Sequence, residues 1–267
     1  MYEAKSIYYR RGGKDILHNV DVTLEAGAIN IILGPNGAGK STLLHQLTGN
    51  LKPDQGEVFF EGEPLDSISI LELARRRAVL AQETTLGFDF SVEEVVMLGR
   101  IPHLSGWGSP HDEEACRNAL IAVEMESYRF RRYPTLSGGE KQRVNLARVL
   151  AQLDLKQPRE KPAWLFLDEP TSALDLRHQH TTLFLMASLV KKQGLGVCAI
   201  LHDINLAFRY AEHVVLLSDG EVAASGPPEI ALTCETIEAV YQVQARLHPA
   251  TSDCPAYFQT LNPAQYV

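Results

Sequence analysis

Residues Gly34 to Thr42 read GPNGAGKST and are the most informative stretch of this chain for its fold. The apolar run Ile29–Leu33 just before them is typical of a buried strand, and Thr42–Leu47 is typical of the start of a helix. Glycine-rich backbone between a strand and a helix can fold around phosphate groups, because its N–H groups point inward and the helix start adds partial positive charge. The sequence therefore predicts a P-loop that holds a nucleotide by its phosphates.

Each position of this P-loop has an expected task. Lys40 is expected to reach the β- and γ-phosphates and to take part in catalysis, and the hydroxyl of Ser41 is expected to bind Mg²⁺. The other positions are expected to contact the nucleotide, and they are Gly34, Pro35, Asn36, Gly37, Ala38, Gly39 and Thr42.

A phosphate cradle does not hold a base, so an aromatic ring from a neighbouring strand is expected to stack on adenine. The segment Ala4–Tyr9 is typical of a strand, and Tyr9 is the preferred platform. Tyr8 is the alternative, and a simple packing role for Tyr9 stays open because aromatic strand residues usually pack.

Composition limits the function classes. The 267 residues are 45% hydrophobic, which is enough for an ordinary core, and they carry 33 acidic and 25 basic residues for a net charge of -8. This balance argues against nucleic acid as a partner, since phosphate backbones are held mainly by clustered Lys and Arg. The four cysteines form no CxxC pair, so neither a zinc site nor a disulfide framework is indicated, and a reducing, cytoplasmic setting is expected.

Two adjacent carboxylates follow an apolar strand in PAWLFLDEP, residues 162–170. Asp168 is expected to hold Mg²⁺, and Glu169 is expected to orient or deprotonate the attacking water. Neighbouring strand residues point to opposite sides, which suits two different tasks. A plain helix-capping turn is the competing interpretation.

Two more polar residues end predicted core strands. Gln82 follows Ala78–Ala81, where its amide could reach a metal ion or the attacking water. His202 follows Gly196–Leu201, where it is positioned to bond a γ-phosphate.

A second anion-binding pattern is LSGGE, residues 136–140, which comes directly before a helical segment. Ser137, Gly138 and Gly139 would form an anion-binding helix N-terminus, although an ordinary N-cap remains an alternative. Elsewhere the pattern predicts an antiparallel layer that joins Gly56–Gly62 to the N-terminal strands, a capping box of Ser91 and Glu94 at the start of a helix, and a helix over Glu229–Val240. Little can be predicted beyond Tyr241.

These motifs, together with SALD at residues 172–175, resemble in type and order the complete motif set of an ABC-transporter ATPase subunit. The resemblance implies an α/β P-loop NTPase fold, in which a RecA-like core carries an antiparallel β subdomain and an α-helical subdomain. It implies core and β layer over about 1–83 and 160–225, the helical subdomain over about 84–155, and a C-terminal helix and tail over about 226–267.

The resemblance also implies partners. Two ATPase subunits would pack head to tail, so that Ser137 and Gly139 of one chain face the γ-phosphate held by Lys40 of the other. Asp175 would lie on the loop that crosses this interface, and Gln82 on the loop that links hydrolysis to the membrane partner. The homodimer would bind two permease subunits at the cytoplasmic face of the bacterial inner membrane, as a peripheral protein, and would meet a periplasmic binding protein only indirectly.

The branch of the family follows from longer stretches. HDINLAFRYAEHVVLLSDGEVAASGPPEIALT and VEEVVMLGRIPH are similar to importers of iron chelates, haem and cobalamin. The stretch AQETTLGFDF resembles the corresponding stretch of hemin importers. The segment DLKQPREKPA makes this region longer than in siderophore importers, as in hemin importers, so ATP-driven hemin uptake is the predicted function. A ferric-siderophore or cobalamin importer is the alternative, and a soluble ABC ATPase in DNA repair or translation is the alternative of another class.

Overall fold

The structure is a computed structural model that describes residues 1–82, 89–103, 108–154 and 162–263. The strands in chain order are β1 (Tyr2–Arg11), β2 (Lys14–Leu24), β3 (Ile29–Leu33), β4 (Gln55–Phe60), β5 (Glu63–Pro64), β6 (Arg77–Leu80), β7 (Trp164–Asp168), β8 (Gly196–Ile200), β9 (His213–Ser218), β10 (Glu221–Gly226), β11 (Val243–His248) and β12 (Tyr257–Pro263). The helices are α1 (Lys40–Leu47), α2 (Ile70–Arg76), α3 (Val92–Met97), α4 (Pro110–Ala122), α5 (Gly138–Leu153), α6 (Leu176–Gln193), α7 (Ile204–Tyr210), α8 (Pro228–Ala231) and α9 (Cys234–Tyr241).

The chain forms two compact units. The first combines Met1–Ser67 with Cys198–Val267, and the second is Ile68–Val197. Part of the predicted Gln82 loop, part of the loop after Ile101 and most of the DLKQPREKPA segment lie outside the described residues.

An antiparallel layer in the first unit has the strand order β2-β1-β4-β5, which confirms the predicted pairing of Gly56–Gly62 with the N-terminal strands. β1 pairs with β2 from Tyr2 opposite Leu24 to Arg11 opposite Lys14. The ring of Tyr2 stacks on Phe60 with centroids 4.5 Å apart, and both side chains are buried. Aromatic stacking therefore helps to hold β1 against β4 on the buried face of this layer.

The P-loop strand β3 lies in the same unit, in the strand order β10-β9-β3-β8. β3 runs parallel to β9, with Asn30 opposite His213 and Leu33 opposite Leu216. All five residues of β3 are buried, as expected for a parallel strand covered on both faces. The P-loop begins at Gly34, directly after the carboxyl end of this strand.

In the second unit β6 runs parallel to β7, from Arg77 opposite Trp164 to Leu80 opposite Leu167. All five residues of β7 are buried. Helices α3, α4 and α5 pack on one another, and α3 begins with the predicted capping box of Ser91 and Glu94. No helix within the described ranges combines the length and the apolar character that a membrane crossing requires.

The C-terminal region differs from the sequence prediction. The expected single helix over Glu229–Val240 is wrong, because Leu232 takes an extended conformation and Thr233 caps a new helix, α9, by accepting a hydrogen bond from the Thr236 N–H. The tail then forms the β11–β12 hairpin, which the sequence did not predict. Asn205 holds this hairpin from a distance, since its side chain bonds both the N–H and the carbonyl of Phe258.

Candidate active site

The P-loop ends in a helix whose start is open to an anion. α1 begins at Lys40, and its N-cap, Gly39, has a φ of 98° and provides no capping side chain. By contrast, side chains of Ser, Thr or Asp cap the seven helices α2–α7 and α9. A helix start without a side-chain cap offers its first N–H groups and its partial positive charge to a phosphate.

Close backbone packing fixes the shape of the loop. A Cβ on Gly34, whose φ is +147°, would lie 2.2 Å from the carbonyl oxygen of Leu217. A Cβ on Gly39 would lie 2.7 Å from Cδ2 of Leu17. Only glycine fits at these two positions, because each requires both a positive φ and the absence of a side chain.

Lys40 lies inside the loop. Its side chain is buried, and Nζ donates hydrogen bonds to the carbonyl oxygens of Gly34 and Pro35, both at 2.9 Å. A buried ammonium group is costly unless it is paired, so the loop holds a cation among oxygen acceptors where a phosphate would add a stronger one.

The other P-loop residues lie just before and just after Lys40 along the chain. Asn36 and Gly37 form an exposed tip, Ala38 is buried, and Ser41 and Thr42 are partly buried on the first turn of α1. The hydroxyl of Ser41 therefore follows the lysine on the same helix start, as the P-loop prediction requires.

Tyr8 and Tyr9 line one open depression of about 360 Å³ together with Leu17, His18 and Asp54. Tyr9 is partly buried and lies opposite Leu17 in the β1–β2 register, while Tyr8 is 38% exposed. Both rings therefore border space of a size that suits a planar base, and the choice between them stays a prediction.

His202 follows β8 in the first unit and is exposed. The next residue, Asp203, caps α7 by accepting hydrogen bonds from the N–H groups of Asn205 at 2.7 Å and Leu206 at 3.0 Å. Because the cap fixes the chain right after His202, the histidine is held at the carboxyl end of a buried strand.

The two predicted acidic residues lie in the second unit and differ in environment. Asp168 is the last residue of β7 and is buried, while Glu169 is only partly buried. Glu169 has a φ of 51°, in the left-handed region that costs an L-residue about 1–2 kcal/mol. Backbone strain of this kind is concentrated at functional sites, and here it turns the chain sharply at the strand end.

The LSGGE segment forms the N-cap that was one of its two interpretations, while its anion-binding role stays a prediction. The Ser137 hydroxyl accepts a hydrogen bond from the Glu140 N–H at 3.4 Å, and a Glu140 carboxylate oxygen accepts one from the Ser137 N–H at 2.7 Å. These bonds from Ser137 hold the pKa of Glu140 below its usual value. Ser137 and Gly138 are nevertheless exposed, so the capped helix start can still contact an anion from outside.

Asp175 and Gln82 are the other predicted residues of the second unit. Asp175 is exposed and caps α6, accepting hydrogen bonds from the backbone N–H and from Nδ1 of His178, both at 2.8 Å. The bonds from His178 lower the pKa of Asp175. Gln82 is exposed and lies two residues after the end of β6.

Each unit brings some of these residues together. In the second unit a Cβ on Gly139 would lie 3.0 Å from the carbonyl oxygen of Ala173, so the start of α5 contacts the turn that precedes Asp175. In the first unit the P-loop closes on Lys40, as described above.

Comparison with known proteins identifies the family. The family model described as ABC transporter matches residues 17–172. The hemin import ATP-binding protein HmuV of Escherichia coli O157:H7 is 46% identical over 241 residues, which are 90% of this chain and 92% of that protein. The HmuV protein of Pseudomonas putida is 47% identical over 251 residues, which are 93% of this chain and 96% of that protein. The chain belongs to the ABC transporter family.

Solved structures of ABC transporter proteins share the fold. A structure described as a metal-chelate type ABC transporter in an inward-facing conformation is similar with a TM-score of 0.81 and 25% identity, over 99% of this chain and 98% of that one. A dimeric post-hydrolysis state of the ATP-binding cassette MJ0796, bound to ADP and Pi, is similar with a TM-score of 0.74 and 29% identity, over 85% of this chain and 99% of that one. The predicted P-loop NTPase fold is confirmed.

Two residues of this ABC transporter chain were missed by sequence reasoning. Tyr241, at the end of α9, is close enough for the Gly34 backbone to lower its pKa, but burial dominates and raises the pKa to about 12. Gln142, on α5, donates a hydrogen bond to the carbonyl oxygen of Glu169 at 3.4 Å. The only sequence signal for Gln142 was its place one turn after Gly139, on the same helix face.

Proposed function

We propose that this chain is the ATP-hydrolysing subunit of a bacterial hemin importer. The observation that carries the proposal is the 46–47% identity to two hemin import ATP-binding proteins over at least 90% of this chain and at least 92% of each relative. Identity at this level over nearly the full length of both relatives supports a shared architecture and a shared function.

The phosphates of ATP would be held by the P-loop. Lys40 already binds two carbonyl oxygens within the loop and would contact the β- and γ-phosphates, while the N–H groups at the start of α1 would face the phosphate oxygens. Tyr9 would stack on the adenine.

Mg²⁺ would be held by oxygen atoms of Ser41 and Asp168, with Gln82 reaching it or the attacking water. These are the hard donors that Mg²⁺ prefers, and the ion usually takes only one or two carboxylates together with substrate phosphates. Within the described parts of the chain no group of three or more His, Cys, Asp or Glu could hold a metal ion. The proposed Mg²⁺ site does not require such a group, because it uses one carboxylate, one hydroxyl and phosphate oxygens. When bound, Mg²⁺ would neutralise charge on the phosphate oxygens.

Glu169 would accept a proton from the attacking water as its oxygen bonds to the γ-phosphorus and the bond to the β-phosphate oxygen breaks, giving ADP and phosphate. His202 would bond a γ-phosphate oxygen and hold the group in line. The strained backbone of Glu169 supports this role, because strain is retained where the surrounding structure requires a particular orientation.

Two copies of the chain would act as a head-to-tail homodimer. The exposed Ser137 and Gly138, with Gly139, would contact the γ-phosphate bound by the other copy, and the exposed Asp175 would lie at the same interface. The dimeric form of the similar MJ0796 cassette supports this arrangement.

The dimer would bind two permease subunits at the cytoplasmic face of the inner membrane. The Gln82 loop would carry the signal to the permease, and a periplasmic binding protein would deliver cargo on the other side. Hemin would pass through the permease and would not contact this chain.

The test is ATPase activity in liposomes that contain this chain with its permease. Hemin-loaded, ferric-siderophore-loaded and cargo-free binding proteins are compared in parallel, and we expect stimulation by the hemin-loaded form alone. Stimulation by the siderophore-loaded form instead would change the assigned cargo from hemin to a ferric siderophore. That result would agree with the similar metal-chelate type transporter. Absence of ATP hydrolysis under all conditions would overturn the enzymatic assignment.

A further inference from the structure

The backbone of Glu169 is tied to two different elements of the second unit. Its carbonyl oxygen accepts hydrogen bonds from the N–H and the hydroxyl of Ser172, at 3.3 and 3.0 Å, within the turn that follows β7. It also accepts a hydrogen bond from Nε2 of Gln142 on α5, at 3.4 Å. Since the left-handed conformation of Glu169 is intrinsically unfavourable, bonds to its carbonyl group help to select it.

The same face of α5 also contacts the rest of this turn. A Cβ on Gly139 would lie 3.0 Å from the carbonyl oxygen of Ala173 and 3.5 Å from Cδ2 of Leu174. Gly139 and Gln142 are three residues apart and so lie one above the other on the helix. The N-terminal part of α5 therefore contacts segment 169–174, and a displacement of α5 would act on the backbone of Glu169 through Gln142.

The build of α5 suits it to move as a rigid element. It runs over 16 residues and contains no Gly or Pro after Gly139. Asn145 donates to the hydroxyl of Tyr133 at 2.8 Å and Gln152 donates to the carbonyl oxygens of Ala74 and Arg77 at 2.8 and 3.0 Å, so these neighbouring segments of the second unit would move together with α5. A pull at one end would therefore be transmitted along the helix and not absorbed by bending.

The exposed end of α5 is the LSGGE segment. In the proposed dimer this end contacts the nucleotide held by the other copy, whereas Glu169 acts on the nucleotide held by its own copy. Gln142 lies between the two, because it is one turn after Gly139 on α5 and bonds the carbonyl oxygen of Glu169.

We propose that Gln142 is a positioning residue that couples the position of α5 to the orientation of the Glu169 carboxylate, and thereby links the two ATP sites of the dimer. The inference rests on the proposed function, because it takes Glu169 as the general base. Gln142 itself contacts neither nucleotide nor water in this assignment.

The main variant is Gln142→Met in the full-length chain, which keeps side-chain length and helix propensity and removes the N–H donor. The matched control is Gln152→Met, which removes a donor to backbone carbonyl groups at the other end of the same helix. Gln142→Glu removes the donor while keeping polarity, and it serves if the methionine variant does not fold.

Steady-state kinetics with Mg-ATP separate positioning from simple stabilisation. For Gln142→Met we expect kcat to fall by about 10- to 100-fold with KM nearly unchanged, because a small misplacement of a catalytic group has effects of this size. We also expect the Hill coefficient for ATP to fall towards that of independent sites. Gln152→Met is expected to lower Tm while leaving kcat and the Hill coefficient near the wild-type values.

A double-mutant cycle tests whether Gln142 acts through Glu169. In the Glu169→Gln background, adding Gln142→Met should not lower the remaining single-turnover rate further, whereas independent effects would multiply. The proposal is overturned if the effects multiply, if Gln142→Met keeps wild-type kcat and cooperativity, or if both methionine variants lose activity in parallel with Tm. Normal turnover of Glu169→Gln alone would instead remove the base assignment, and the inference would fail with it.

Discussion

The Nε of Arg100 donates a hydrogen bond to Oδ1 of Asp112 at 2.8 Å, and both side chains are buried. The same guanidinium group donates to Oδ2 of Asp154 at 3.1 Å and to the carbonyl oxygen of Ala151 at 2.8 Å. Burial would raise the pKa of Asp112, but hydrogen bonds from Ser109 and Arg100 hold it below its usual value. One buried cation thus joins the start of α4 to the end of α5.

Arg100→Leu should therefore destabilise the fold strongly. Removing the cation takes the guanidinium group away from two buried carboxylates, which keep only their bonds to Ser109 and His111, and such a change costs about 3–5 kcal/mol. Urea unfolding measures the loss. The control is Arg117→Leu, whose exposed pair with Glu126 at 3.2 Å is expected to contribute under about 1 kcal/mol. Equal losses of unfolding free energy in both variants would contradict the conclusion that the buried ion pairs stabilise the fold more than the exposed pair.

His103 should make stability fall at acidic pH. Its Nε2 lies 2.7 Å from the carbonyl oxygen of Gln152, and burial lowers its pKa below the ordinary histidine value of 6.5, with a smaller opposing effect of the Gln152 carbonyl. Because the unfolded chain binds the proton more readily, the free energy of unfolding should decrease as pH falls below about 6.5. The nearby charges of Arg100, Arg75 and Asp154 modify the size of the effect but not this direction.

The measurement compares urea unfolding at about pH 7.5 and about pH 5.5 in the wild type and in His103→Gln, which keeps a donor and does not titrate. We expect a smaller loss of stability in the variant. An identical loss in the two proteins would assign the pH dependence to other groups.

Gly34→Ala should disrupt nucleotide binding. The new Cβ would lie 2.2 Å from the carbonyl oxygen of Leu217, so the P-loop backbone would have to move. Shifts of this kind cost on the order of 100-fold in function, and ATP affinity measured by equilibrium binding should drop accordingly. Gly62→Ala is the control, since its φ of +80° is similarly strained but no atom lies within 4 Å of the new Cβ. It should lower stability by about 1–2 kcal/mol without changing ATP affinity.

Tyr9→Ala should weaken ATP binding more than Tyr8→Ala does. A stacked aromatic ring contributes about 0.5–1.5 kcal/mol, which corresponds to a loss of about 2- to 12-fold in affinity. Both residues line the same depression, so the comparison changes only which ring is removed. A larger effect of Tyr8→Ala would assign the stacking role to Tyr8.

Glu169→Gln should abolish turnover and preserve ATP binding. Loss of a general base lowers kcat by about 10²- to 10⁴-fold, while the neutral amide keeps the size of the side chain. Size-exclusion chromatography with ATP should then show a stable dimer, because bound nucleotide is no longer consumed. Glu126→Gln, which changes a partly buried carboxylate paired with Arg117, is the control, and comparable activity of the two variants would exclude Glu169 as the base.

Local features were predicted well, and the reasons are physical. The strand β3, the capping box at Ser91 and the strand that ends at Asp168 are visible in the sequence, because periodicity and capping residues act over a few positions. The division of Glu229–Val240 into two helices was missed, although Thr233 is a capping residue, because the apolar pattern continued across it.

The family, the P-loop and the site motifs can be read from the sequence alone, since each motif consists of residues that are close along the chain. Contacts between distant residues arise only in the folded structure. It placed Gln142 on the carbonyl group of Glu169, tied Asn205 to the β11–β12 hairpin, and surrounded Arg100 with carboxylates 12 and 54 residues away. Such contacts form only when separate elements pack, and no spacing along the chain encodes which polar group will meet which carbonyl.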